Sequence, residues 1–198
     1  MGIFKIPEHK KSGPLAGKRI AILATDGVEE VELTSPRKAL EDAGADVDLV
    51  SPEDHIHAGE IRSWNHTGWG KKFCVDVRLT KADPASYDAL HLPGGVMNPD
   101  HLRQNPDAIE FVRHFFKTGK PVSAICHAPW LLIEAGIVKG RHMTSWPSLH
   151  TDLRNAGAHW FDKEVVVDGN LITSRKPDDL PAFNKEIVQQ FSVMKIAA

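Results

Sequence analysis

Lys120-Pro-Val-Ser-Ala-Ile-Cys-His-Ala-Pro-Trp-Leu-Leu-Ile-Glu-Ala-Gly136 is the stretch around which the chain is organised. Val122 to Ile125 is a short apolar run behind a Gly-Lys-Pro turn, the pattern of a buried parallel strand. Trp130 to Ala135 fits one face of a helix that Gly136 ends. Cys126 stands between them. A side chain at such a junction is pushed out of the sheet, beside the first helical N–H groups and the positive end of the helix dipole, a setting that favours thiolate over thiol. Ala124 and Ala128 permit a tight turn, and Pro129 suits a first helical turn because it has no N–H to lose. His127 is adjacent in sequence and reaches the sulfur only if the turn bends it back. The competing reading is a buried cysteine followed by a surface histidine.

Working outward, Arg19 to Thr25 reads as a strand, Asp26-Gly27 as a turn, Glu30 to Ala43 as an amphipathic helix closed by Gly44, and Ala45 to Ser51 as the next strand. Such a unit crosses over right-handed to give neighbouring parallel strands. Residues 52–80 break the rhythm and predict a loop with a small antiparallel excursion. Asp88 to Leu92 resumes the sheet and ends in Pro93-Gly94-Gly95. Asn105 to Thr118 follows as a helix capped by Asn105, with Ile109, Val112 and Phe116 on one face. Beyond Gly136, Met143 to Trp146 is a brief strand or loop and Ser148 to Ala156 a short helix. Val165 to Ser174 is a strand pair turning at Asp168-Gly169, and Asp178 to Met194 closes the chain as a helix. Alternation of this kind predicts a three-layer α/β domain around a mainly parallel sheet.

Residues 18–198 are expected to form one domain, with residues 1–17 as a flexible arm. Within 198 residues, 24 basic and 26 acidic side chains give a formal charge of −2, so no global field recruits nucleic acid or an anionic membrane. Small solutes and proteins remain as partners. Two cysteines cannot build a disulfide framework and fit a reducing, cytoplasmic compartment. Cys74 lies in an alternating run and is expected to be a buried strand thiol. The eleven histidines show no metal-ligand spacing, and most are expected at the surface; no metal or cofactor is expected.

Ligands in open α/β sheets bind beyond the carboxyl ends of the strands, where Thr25–Glu29, Gly94–Gly95 and Cys126 should converge. Glu29 could reach Cys126 across the crevice, protonated by burial and donating to the thiolate, or could be a solvated carboxylate of the first helical turn like Glu30 and Glu32. Gly94 and Gly95 could present N–H groups to an oxyanion. Asp100 could orient His127, or could simply cap a helix.

Together, Ala-Ile-Cys126-His127-Ala-Pro, Leu-Pro-Gly94-Gly95, Glu29-Glu-Val-Glu-Leu, and Glu164-Val-Val-Val-Asp-Gly-Asn170 with Thr173-Ser-Arg-Lys-Pro-Asp-Asp-Leu180 resemble the PfpI family over roughly Lys18 to Phe191. That family lies in the superfamily of the Parkinson-associated protein deglycase and is related in fold to class I glutamine amidotransferases. The resemblance implies a flavodoxin-like sandwich and a homodimer or higher homo-oligomer. It places the nucleophile on Cys126, its partner on His127, the thiolate-contacting carboxyl on Glu29 and a triad acid, supplied by a neighbouring subunit, on Asp100. It also implies a stress-response activity: a glyoxalase or deglycase acting on methylglyoxal, glyoxal or their protein adducts, an intracellular cysteine peptidase, or a redox-sensing chaperone without turnover. The absence of an evident peptide groove favours the small-carbonyl substrate.

Overall fold

The computed structural model describes residues 12–53 and 59–193. The chain opens with β1 (Arg19–Leu23), α1 (Glu30–Asp42) and β2 (Asp46–Ser51), then a hairpin of β3 (Glu60–Asn65) and β4 (Gly68–Cys74), and β5 (Val77–Arg78). β6 (Ala89–Leu92), α2 (Met97–Leu102), α3 (Pro106–Lys117), β7 (Val122–Ile125) and α4 (Pro129–Glu134) follow. The remainder is β8 (His142–Met143), α5 (His150–Asn155), β9 (His159–Trp160), β10 (Val165–Asp168), β11 (Leu171–Ser174) and α6 (Leu180–Val193).

Seven strands form the main sheet in the order β10-β11-β7-β6-β1-β2-β5. All its pairings are parallel except β10 with β11. The central strands β6, β7 and β11 are buried at every position, which explains why they read as continuous apolar runs without alternation. One face of the sheet packs on Leu33 and Leu40 of α1 and on Phe183, Ile187 and Phe191 of α6. The other packs on Phe111, Val112 and Phe115 of α3 and on Leu131 and Leu132 of α4. This is the expected flavodoxin-like three-layer sandwich, with β3 and β4 as the small antiparallel excursion.

Several expectations are corrected in detail. The buried stripe of α3 is Ala108, Phe111, Val112 and Phe115, one residue round from the stripe read in the sequence, and Ile109 and Phe116 flank it. Its cap is as expected: Asn105 Oδ1 accepts from the N–H groups of Asp107 and Ala108 at 2.9 and 3.1 Å. Cys74 is exposed, because its hairpin is only two strands wide. β5 joins the main sheet beside β2, and α2 occupies a segment read as loop. Residues 12–17 are not a loose arm: Leu15 is fully buried and its N–H donates to Ala43 O at 2.9 Å. Residues 1–11 of that arm lie outside the described residues. Among the described residues, no helix is long and apolar enough to cross a membrane.

Candidate active site

β1 and β6 are neighbours whose crossovers run to opposite sides of the sheet, so a crevice opens at their carboxyl ends. Asn98 of α2 ties its two loops together: its Oδ1 accepts the Thr25 N–H at 2.8 Å, and its amide donates to Pro93 O and Gly94 O at 2.8 and 3.1 Å. A cavity of about 750 Å³ lies over the crevice, lined by residues that include Glu29, Glu32, Trp64, His66, Gly95, Cys126, His127 and Trp146.

Cys126 has φ of 63°, a left-handed conformation seldom adopted by a non-glycine residue. Its backbone is held on both sides: the N–H donates to Ser174 O at 3.1 Å, and the carbonyl accepts from Trp146 N at 2.9 Å. The strained turn is thereby fixed by β11 and by the loop before α5. It leaves the thiol 6% exposed at the cavity floor.

The carboxyl that faces the thiol belongs to Glu32, not Glu29. Glu32 is fully buried, whereas the sequence reading made it a solvated first-turn group. It lies on the inward stripe of α1 with Leu33, Pro36 and Leu40, and the spacing Glu32, Pro36, Leu40 is the signal that could have identified it. Its Oε2 accepts the Gly94 N–H at 2.9 Å, and its Oε1 has no hydrogen-bond partner within the protein. Burial raises the Glu32 pKa to about 8, partly opposed by the Gly94 N–H and the Cys126 thiol. Burial and the Glu32 charge both push the Cys126 thiol upward, opposed by the N–H groups of Gly95 and His127. Two anions so placed cannot coexist cheaply, so near neutral pH both groups keep their protons, and loss of either one makes the other harder to remove.

The glycine turn divides its work. Gly94 spends its N–H on Glu32, which removes it from the oxyanion role expected of it. A Cβ at Gly94 would lie 2.6 Å from both Cys126 Cβ and Glu32 Oε2, so only glycine lets the two groups meet. The Gly95 and His127 N–H groups face the sulfur.

His127 does bend back: its Nδ1 lies 3.1 Å from Cys126 Sγ. Nε2 makes a 3.5 Å contact with Ser148 Oγ. The ring stacks on Trp146 at 5.8 Å and meets Trp130 edge-on at 5.2 Å. Burial pushes its pKa down to about 4, so the imidazole is neutral at rest. Within the chain Asp100 pairs instead with Arg103 at 2.6 Å, on the surface, and Arg103 lies over the Trp130 ring at 5.0 Å. Trp130 packs there and donates Nε1–H to Asp152. Beneath the site, buried His91 donates from Nε2 to the Glu32 carbonyl and receives the Ser123 hydroxyl at Nδ1, each at 3.0 Å. Its place within a strand gave no hint of this role.

Glu29 is not displaced from the site; it lines the cavity. Burial raises its pKa, opposed by the backbone N–H of His66. Among the described residues no cluster of three or more His, Cys, Asp or Glu side chains is arranged to hold a metal ion.

The DJ-1/PfpI family profile matches residues 18–190. The chain is 44% identical over 169 residues to the Bacillus subtilis protein named "Putative cysteine protease YraA", covering 85% of this chain and 95% of that one. It is 42% identical over 176 residues to an uncharacterized Staphylococcus aureus protein, covering 87% and 98%. Among solved structures, a two-domain Anabaena variabilis protein with DJ-1/ThiJ/PfpI-like and ferritin-like domains superposes with a TM-score of 0.80 at 36% identity, over 87% of this chain and 48% of that chain, so this chain spans about half of it. Drosophila melanogaster DJ-1beta superposes with a TM-score of 0.80 at 26% identity, covering 89% and 91%. On sequence and fold together, the chain belongs to the DJ-1/PfpI family.

Proposed function

We propose that the protein is a thiol-dependent enzyme in which Cys126 attacks an electrophilic carbonyl carbon and Glu32 manages the proton. The observation that carries this reading is the strained Cys126 backbone, which sets the sulfur between the Glu32 carboxyl and the N–H groups of Gly95 and His127. Of the two groups beside the sulfur, Glu32, near 8, is the stronger base and His127, near 4, the weaker. His127 therefore acts by position and hydrogen bonding in the resting enzyme, and Glu32 as general base and acid.

For a 2-oxoaldehyde such as methylglyoxal or glyoxal, the sulfur adds to the aldehyde carbon while the Glu32 carboxyl gives its proton to the new oxygen and takes up the thiol proton, which gives a hemithioacetal and leaves Glu32 protonated as before. Transfer of the C1 proton to C2, with the hydroxyl proton moving from the C1 oxygen to the C2 oxygen, converts this to the thioester of a 2-hydroxy acid. Water then releases the acid and restores the thiol, so that the net reaction adds one water. Gly95 and His127 N–H groups meet the negative charge that develops beside the sulfur.

The name of the Bacillus subtilis relative favours a second reading, cysteine peptidase, in which the same thiolate forms an acyl-enzyme. In that case Asp100 of one subunit would have to reach His127 of another, since within the chain it pairs with Arg103. The deciding assay is hydroxy-acid production from methylglyoxal and glyoxal in amine-free buffer, by wild type beside Cys126→Ala. Turnover lost in the variant establishes the first reading. No turnover in either, with thiol-dependent cleavage of peptides by the intact oligomer, establishes the second; holdase activity retained by Cys126→Ala would leave only a chaperone.

A further inference from the structure

The cavity over Cys126 holds more recognition chemistry than the reaction above uses. Glu32 is committed to Gly94 and the thiol, whereas Glu29 lines the cavity and accepts the His66 backbone N–H, and its buried Oε1 has no hydrogen-bond partner within the protein. Two indoles, Trp64 and Trp146, line the same space. Both are fixed. Trp64 Nε1–H donates to His66 O at 2.9 Å and its ring meets Trp69 edge-on at 5.7 Å, while Trp146 stacks on His127. Lys176, the basic side chain at the rim, is paired with Asp178 at 3.1 Å and so does not neutralise Glu29. Among the described residues, the His66 side chain and the Glu30 and Glu32 carboxyls are the other titratable groups that interact with Glu29.

A carboxyl with spare acceptor capacity beside rigid aromatic surfaces is the chemistry that holds an organic cation. We infer that the cavity takes substrates carrying a cationic nitrogen, an ammonium or a guanidinium, a few bonds from the carbon that Cys126 attacks, with Glu29 as the specificity carboxyl and Trp64 and Trp146 as its walls. The inference rests on Cys126 being the nucleophile and adds a selectivity to it. A bare dicarbonyl would leave most of the 750 Å³ unfilled and Glu29 Oε1 without a partner.

The test compares two iodoacetamides matched in size, one N-(2-aminoethyl) and cationic, the other N-(2-hydroxyethyl) and neutral, with labelling of each cysteine read by mass spectrometry. Exposed Cys74 is the internal reference. At Cys126 the cationic reagent is expected to be favoured over the neutral one by about tenfold relative to Cys74, as a carboxylate with partly desolvated cation–π contacts permits. Glu29→Gln should remove most of that preference by slowing the cationic reagent alone, Trp64→Leu should remove part of it, and Glu110→Gln, on the surface of α3 and away from the cavity, should leave it. An equal preference at both cysteines, or one that survives Glu29→Gln, overturns the inference. Tryptophan fluorescence titration of Cys126→Ala with propylammonium and with propanol reads the same selectivity without the thiol. Preferential binding of the cation there supports the inference even if thiol turnover is never found, and equal or absent binding of both overturns it.

Discussion

Glu32 and Gly94 are joined by a hydrogen bond in which the Gly94 N–H donates to Glu32 Oε2 at 2.9 Å, and this bond sets the carboxyl against the Cys126 thiol. The contact depends on the missing Cβ. Gly94→Ala would put a methyl 2.6 Å from Cys126 Cβ and 2.8 Å from the backbone oxygen of Ile125, which cannot move away cheaply. The expected cost is about 1–3 kcal/mol of stability by urea titration. Cys126 alkylation and turnover should fall together, because the elbow and the carboxyl are forced apart; unchanged alkylation would show that the close approach has no chemical role.

Glu32→Gln separates the carboxyl's chemical role from its structural cost. The folded-state pKa is raised to about 8, so between about 4.5 and 8 the unfolded chain ionises while the buried group holds its proton, and stability falls as pH rises through that window. Gln does not titrate. The variant should therefore gain about 2 kcal/mol at pH 8 relative to wild type, with the gain shrinking toward pH 5, by thermal melts across pH. Turnover should fall at least about 100-fold, as expected for loss of a general acid–base group. Glu29→Gln should leave turnover of an uncharged dicarbonyl within about threefold, since Glu29 enters the proposed reaction by recognition and not by proton transfer.

The contrast between these two residues shows what could be read from the sequence. The sandwich was legible because β1, β6 and β7 are short apolar runs ending in punctuation, and Cys126 was legible because it ends one of them. Three acidic residues at 29, 30 and 32 were harder to rank by their place in the first helical turn. Choosing Glu32 requires weighting a single carboxyl against the inward stripe of Leu33, Pro36 and Leu40. Asn98, His91 and Trp146 were beyond local reading, since each contributes through contacts made by residues distant in sequence: Thr25, Glu32 and Cys126.

Trp146 and Trp130 hold the His127 ring where a triad would use a carboxylate. Trp146 is the exposed member of this clamp and also fixes the elbow through its N–H to Cys126 O. Trp146→Phe keeps both the backbone bond and a stacking surface; Trp146→Ala keeps only the bond. Turnover is expected to fall about tenfold in the alanine variant and within about threefold in the phenylalanine variant, consistent with an aromatic pair contributing about 0.5–1.5 kcal/mol. The readout that separates positioning from folding is the pH dependence of the His127 ring resonances. In Trp146→Ala, solvent reaches the imidazole and its pKa should climb from about 4 toward the ordinary histidine range, with the melting temperature little changed.

His91 gives the fold an acid limit that is independent of the thiol. It is fully buried, bonded to the Glu32 carbonyl and to Ser123, and burial lowers its pKa to about 4. Its unfolded value lies near 6.5, so between these limits the unfolded chain binds a proton that the folded chain refuses. This contribution to stability is complete above about pH 6.5, declines as pH falls, and is exhausted near pH 4; for one buried imidazole it is on the order of 3 kcal/mol. His91→Gln offers an amide in place of the imidazole and removes the titration. It is expected to lower stability at pH 7.5, through imperfect contacts to Ser123 and the Glu32 carbonyl, and to narrow or reverse that deficit by pH 5. Urea titrations of both proteins at the two pH values check this. A deficit that stays constant with pH would mean that His91 is not held neutral in the folded protein.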